Sequence, residues 1–250
     1  MRQGRAALKQ SLASILAETG KKVAAQIRNA PLLTKISPDG IDLSSLDVIV
    51  DDAPEWLASV AGDAGRQSLA QLGMKRDALV NQVNEEAVQY ARYRAAEMVG
   101  KTYNEAGDLV DNPDAKWRID DATRDEIRRI ISQGLDDNIG KDEIADMIED
   151  ALPFSEERAD LIAQTEIARA NQAGVLESYH AAQDAGVKVL KEWLPDADAC
   201  PVCLENADAG AIPIEADFPS GDDAPPAHPN CECSLVPLVL EDEEEPAAEE

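Results

Sequence analysis

Apolar residues recur at steps of three and four along most of this chain, and that spacing predicts a helical protein. Leu8, Leu12, Ile15, Leu16, Val23 and Ile27 line one face of a first amphipathic helix that ends before Pro31, whose missing N–H and bulky ring break the ladder. Residues 31–53, with Pro31, Pro38, Gly40 and Asp51-Asp52, read as a connecting stretch. From Pro54 to Gly100 the helical spacing returns as two helices broken near Leu72-Gly73, with Pro54 in a first turn and Gly100 as a stop. Asn112-Pro113-Asp114 marks a loop. A helix from Asp120 or Asp121 then carries Ile127, Ile130, Ile131 and Leu135 on one face and stops by Gly140. A short helix with Ile144, Met147 and Ile148 follows, ended by Pro153.

The most regular helix comes next. Ser155 suits an N-cap, and Glu156 and Glu157 place negative charge at the positive helix end. This helix should run from Ser155 to Gln183, with Leu161, Thr165, Ala168, Val175 and Tyr179 on or near one face and Gly186 beyond its end. The period then changes. Residues 187–194 are short, β-branched and partly alternating, which predicts a strand, and a second strand is expected from Cys233 to Leu238. Between them lies a loop rich in Pro, Gly and Asp that holds every cysteine.

The expected fold is therefore mainly α: a multi-helix body, then a small α+β Cys-rich module with short strands, then a disordered acidic tail. The corresponding divisions are residues 1–50 as a basic amphipathic helix and linker, 51–187 as the helical body, 188–238 as the Cys/His-rich module and 239–250 as the tail.

Composition narrows this picture. Hydrophobic residues make up 44% of the 250, enough for a real core, but aromatics only 4%, so the core must be built from aliphatic side chains. Charges interrupt every apolar run, so no membrane span is expected. The opening residues lack an apolar signal core, and a soluble, cytoplasmic product is expected. A net charge of -27 argues against nucleic acid as the main partner. That charge is uneven, however. Arg2, Arg5, Lys9, Lys21, Lys22 and Arg28 oppose a single acid, Glu18, in the first 28 residues, whereas no Lys or Arg follows Lys191. The basic head is either an ordinary solvated face or an arm that touches DNA or an acidic partner.

The cysteines carry the chemistry. Cys200 and Cys203 are separated by two residues, and His228, Cys231 and Cys233 follow after 24 intervening residues, 204–227. Two thiolates at that spacing approach one tetrahedral ion from a tight turn, and His228 with Cys231 supplies a second pair. Five donors compete for four positions: Cys200, Cys203 and Cys231 are favoured, with the fourth place disputed between His228 and Cys233. Four protein ligands leave no open position, so one Zn2+ would be structural. The alternatives are two disulfides or plain reduced thiols. Trp193 is expected to pack beside the cluster.

The succession of these signals resembles the phage Mu F-like head-morphogenesis family of minor capsid proteins. The residues that carry the resemblance are Ser155-Glu156-Glu157-Arg158-Ala159, then residues 162–171 with Gln164-Thr165-Glu166, then Lys191-Glu192-Trp193 before the Cys pair, and finally residues 228–233. Upstream it extends through Ala91-Arg92-Tyr93-Arg94-Ala95-Ala96 and Asp121-Ala122-Thr123-Arg124-Asp125, covering roughly residues 51–238. The family commonly has Arg before Thr-Glu, where this chain has Gln164. Membership implies a low-copy procapsid protein associated with the portal protein and with the major capsid or scaffolding protein, found in the capsid interior or at the portal vertex and in the host cytoplasm during assembly, and acting in DNA packaging or delivery. Spacing adds that Glu166 and Arg169, three apart, can pair on the helix surface.

No enzymatic role is expected. The alternative is a DNA-binding protein, touching packaged DNA through the basic N-terminal helix, or a zinc-containing nuclease-like phage protein. A nuclease needs further ligands in register, and only His180 and His228 exist.

Overall fold

The computed structural model describes residues 2–31, 40–74, 76–116, 118–137 and 139–240. Pro38 and the acidic run from 241 to 250, expected as a tail, lie outside them. Among the described residues there are seven α-helices and two small sheets: α1 Arg2–Asn29, α2 Ile49–Gln71, α3 Asp77–Met98, α4 Ile119–Asp136, α5 Lys141–Glu149, α6 Glu156–Asp184 and α7 Pro201–Asp208, with strands β1 Lys101–Tyr103, β2 Leu109–Asp111, β3 Val189–Leu194, β4 Ile212–Pro213 and β5 Ser234–Val239. No described helix is long and apolar enough to cross a membrane. Contacts group the chain into two compact units, residues 1–59 with 88–167 and residues 60–87 with 168–250, whose boundaries fall inside α2, α3 and α6.

In the first unit α1 buries Leu8, Leu12, Ile15, Leu16, Val23 and Ile27, the face its spacing predicts. It packs on α5 and on the short 3-10 turn at Leu152–Phe154. Three of its basic residues are engaged: Arg5 donates to both Asp160 oxygens at 3.0 Å, Lys9 stands 3.9 Å from the same carboxylate, and Arg28 pairs with Asp146 and Glu149. Lys141 donates to the Arg28 carbonyl at 2.7 Å, satisfying a group that the helix end leaves open.

Three expectations are corrected here. Helix α2 starts at Ile49, following a 3-10 turn at Ser44–Val48, so Pro54 and Asp51-Asp52 lie inside it. Pro54 removes only the N–H that would reach Val50, and burial of Ile49, Ala53 and Leu57 offsets that loss. The segment after Gly100 forms a hairpin, β1 against β2, closed by Asn104, whose Oδ1 accepts the N–H groups of Ala106 and Asp108 at 3.0 and 2.9 Å. On α4 Ile127, Ile130 and Ile131 are buried as expected, but Leu135 is 40% exposed. Gly134 takes the inner position instead, because the Ile144 side chain lies where a Cβ would stand, 2.4 Å from it.

Helix α6 opens as read, with Ser155 Oγ accepting the N–H of Arg158 at 3.1 Å. Leu161, Thr165, Ala168, Val175 and Tyr179 are buried or half-buried, and the cover extends beyond their face. No residue from Arg158 to Ala182 is fully exposed, each being buried or half-buried.

In the second unit α2 and α6 cross at two glycines. A Cβ on Gly174 would stand 1.9 Å from the Ala61 carbonyl oxygen, and one on Gly65 would meet Val83 at 2.2 Å. Beside the crossing, Ser178 Oγ donates to Ser68 Oγ at 2.6 Å. Helix α6 ends in a turn at Gly186, φ +91°, where the Val187 N–H donates to the Ala182 carbonyl. The chain then enters a three-stranded antiparallel sheet of order β4-β3-β5, in which Val189 lies opposite Val239, Lys191 opposite Pro237 and Trp193 opposite Leu235. Val189, Lys191 and Trp193 point inward. The stretch between β3 and β5, expected as loop, holds α7 and β4.

Candidate metal centre

Each donor is placed by a local device that the sequence encodes. Cys200 immediately precedes α7 with extended backbone, φ -72° and ψ 165°, and Pro201 opens the helix with a φ already suited to it. The helical turn then carries Cys203 back onto the side of Cys200. On the other arm, His228-Pro229-Asn230-Cys231 is a β-turn: the Cys231 N–H donates to the His228 carbonyl at 3.2 Å, and Asn230 takes φ 61°. Proline in the second place and a left-handed Asn in the third suit a type II turn, so the spacing from His228 to Cys231 has a mechanical cause. Cys233 follows at the entrance to β5.

All five expected donors line one recess of about 280 Å3, together with Asp196, Asp198, Asn230 and Glu232. Their atoms form two triads, Cys200, Cys203 and His228, and Cys203, Cys231 and Cys233, within each of which every donor atom lies within 4.8 Å of the others. Cys203 belongs to both. Its Sγ stands 3.4 Å from His228 Nε2 and 3.7 Å from Cys231 Sγ. Metal–sulfur and metal–nitrogen bonds of about 2.3 and 2.0 Å in a tetrahedron place two sulfurs roughly 3.8 Å apart and a sulfur and a nitrogen roughly 3.5 Å apart. The two distances therefore fit the edges of such a site. His228 Nδ1 lies 2.9 Å from the Pro229 carbonyl, which leaves Nε2 directed to the thiols. The four cysteines are free thiols, not disulfides. His180, on α6, belongs to neither triad.

The electrostatics separate the thiols. Burial pushes Cys203 well above the usual thiol range, reinforced by Cys231 and Cys233, and burial likewise raises Cys231. Cys200 is lowered, mainly by the backbone N–H of Cys203. Burial thus works against a bare thiolate at Cys203. A cation at the centre of the cluster reverses that preference, because a coordinated thiol is deprotonated.

The surroundings hold this arrangement firmly. Cys203, Cys231 and Cys233 are part of one buried cluster with Trp193, Phe218, Tyr179, Leu176 and Leu235. Trp193 and Phe218 meet edge to face, their centroids 5.1 Å apart. Asn206, fully buried on α7, donates to Ser220 Oγ and accepts the Ser220 N–H, fastening the loop before the His-Pro-Asn turn. Lys191, 0% exposed, donates to the Asp223 carbonyl at 2.7 Å. Sequence reasoning missed Asp196 and Asp198 as lining groups, although an Asp-x-Asp just before a Cys pair was a signal that pointed to them.

A second constellation lies in the first unit. Arg94 on α3 and Glu166 on α6, both in segments named for the resemblance, form a buried ion pair. Spacing suggests that Glu166 can pair with Arg169; the tertiary fold brings Arg94 to it from 72 residues away. Arg169 donates to the Pro226 carbonyl at 3.4 Å.

No curated protein and no solved structure matches the chain. One family model, described as Phage Mu protein F like protein, matches residues 125–236. That segment runs from α4 to β5 and takes in α6, α7, Glu166 and all five Cys and His residues of the recess, and over it the chain is similar to phage Mu F-like proteins.

Proposed function

We propose that the chain is a minor head protein of a tailed phage, working by association with the portal and procapsid while the head is built and DNA is packaged or delivered, and that a zinc ion held by Cys203 and three of Cys200, His228, Cys231 and Cys233 fastens its C-terminal segment. The observation that carries the first part is the family match over residues 125–236. The second rests on five donors in one recess with tetrahedral edge distances at Cys203. An ion with four protein ligands supplies rigidity and leaves no position for water or substrate, so the role is structural and not catalytic. The chain's own residues do the rest: the His-Pro-Asn turn and the start of α7 preset the ligands before any ion arrives.

The reading in which the basic helix α1 grips DNA is weaker. Its apolar face is buried and Arg5, Lys9 and Arg28 already face carboxylates.

The test is assembly. Procapsids formed with the purified chain and portal protein should retain it through sedimentation at a few copies per particle, and portal omitted from the mixture should abolish that retention. A chain that stays soluble in both mixtures overturns the proposal.

A further inference from the structure

The sheet of the second unit has an outward face that is apolar where an antiparallel sheet normally turns polar residues to water. Val189, Lys191, Trp193 and Leu235 fill the inner face, so residues of the other parity face out. Leu190 lies directly between Pro213 and Leu238 across the three strands, and Val236 and Leu194 continue the row. Leu240 extends it, since its N–H donates to the Lys188 carbonyl at 2.9 Å and carries the ladder one pair further. Leu194 is 50% exposed, Leu238 44% and Leu240 43%.

The edge beside this face offers little to another strand. The ladder bond at Leu240 fixes the phase: even-numbered residues of β5 bond to β3, and the backbone nitrogens of Leu235, Pro237 and Val239 turn outward. Proline has no N–H to offer, and the Leu235 N–H is taken by Gln172 Oε1 at 2.9 Å. A partner is therefore better placed to cover the face than to extend the sheet.

Charge identifies the partner. Residues 192–240 carry ten Asp and Glu and no Lys or Arg. Glu192 sits within the face opposite Val236, and Asp196 and Asp198 after Leu194 and Glu232 before β5 gather at one end of the strands, where they also line the thiol recess; Lys188 stands at the other end. An apolar patch with an acidic end, in a segment that has no cation after Lys191, repels a second copy of itself, as it repels nucleic acid. We infer that the outward face of β3 and β5 docks a cationic, amphipathic protein segment, whose apolar side chains cover Leu190, Leu194 and Leu238 and whose lysines or arginines meet Glu192 and the acidic end of the strands.

The experiment uses the full chain and three probes: a helical peptide with leucines on one face and lysines on the other, its leucine–glutamate counterpart, and polylysine. Leucine–lysine peptide binding should weaken by about tenfold or more in L194S/L238S, since two leucine contacts are lost. L152S, an exposed leucine in the other unit, should leave it unchanged. Circular dichroism confirms that each variant folds. Equal binding of polylysine, or no loss in L194S/L238S, reduces the site to charge alone and overturns the proposal. So does equal binding of the leucine–glutamate peptide, and so does a wild-type dimer in sedimentation that L194S/L238S dissociates, which assigns the face to a second copy.

Discussion

Arg94 and Glu166 meet as a bidentate pair, Arg94 Nε at 2.7 Å from one carboxylate oxygen and Nη2 at 2.8 Å from the other, with both residues 4% exposed. Burial works against the guanidinium charge, but Glu166 more than offsets it, and Arg94 is held above its ordinary value. The remaining Nη1 donates to Glu97 at 2.6 Å, and Glu97 in turn accepts the Lys116 N–H at 3.0 Å. The pair thus ties α3, α6 and the segment before α4 to one point.

Removing one partner strands the other charge. Arg94→Ala should cost about 3–5 kcal/mol, read as a lowered urea midpoint, whereas Arg94→Met with Glu166→Leu should cost much less or nothing. If the double variant is as unstable as the single, the network's other bonds and not the unpaired charge set the cost.

Metal content of protein purified under reducing conditions without chelator should be one zinc per chain, and chelation should lower the thermal midpoint. Because burial raises Cys203 and Cys231, an entering ion must displace their protons, so zinc affinity should fall as pH falls and binding should release protons in calorimetry. Cys203→Ser should abolish binding, since this residue belongs to both triads, while Cys200→Ser and Cys233→Ser should each weaken it less. Equal losses in all three remove Cys203 from the centre of the site.

Glu177 on α6 is raised to about 7, first by burial and then by Glu86 and Asp184. A carboxyl whose folded pKa lies above its unfolded one favours folding through its protonated form, and that contribution is lost as pH rises from about 4.5 through 7. Glu177→Gln should stabilise the protein by about 1–3 kcal/mol at pH 8.5 and by nearly nothing at pH 4. Melting curves at the two pH values check this.

Gly174→Ala places a methyl group against backbone that cannot rotate away, the Ala61 carbonyl at 1.9 Å. A loss of about 2–4 kcal/mol is expected, with α2 and α6 forced apart. A neutral result in chemical denaturation would contradict the close crossing.

Pro237→Val restores an outward N–H on the free edge of β5, and Gln172→Ala uncovers that of Leu235. Together they should promote self-association, seen as concentration-dependent sedimentation, which neither change alone produces to the same extent.

Local signals were legible where physics is local. The α1 stripe, the Ser155 cap, the stops at Gly100 and Gly186, both strands around the cysteines and the grouping of the four cysteines with His228 could be read from spacing, because each depends on neighbours within a turn or a pleat. The hairpin at 101–111 was not, since strands of three residues give too short a pattern to count. Helix α7 was hidden by the Pro and Asp around it, although Cys-Pro at a helix start was a usable cue.

What the amino-acid order determined by itself is the kind of protein: helical, aliphatic in its core, basic at one end and acidic at the other, with a thiol and imidazole cluster at ligand spacing. Tertiary structure alone decided which distant groups meet. It gave Glu166 an arginine from α3, left no residue of α6 from Arg158 to Ala182 fully exposed, joined residues 60–87 with 168–240 in one unit, and left the apolar face of β3 and β5 turned outward. Periodicity records which side of an element avoids water, but not which partner covers it, because many surfaces satisfy the same apolar stripe and only packing at contact distance selects one.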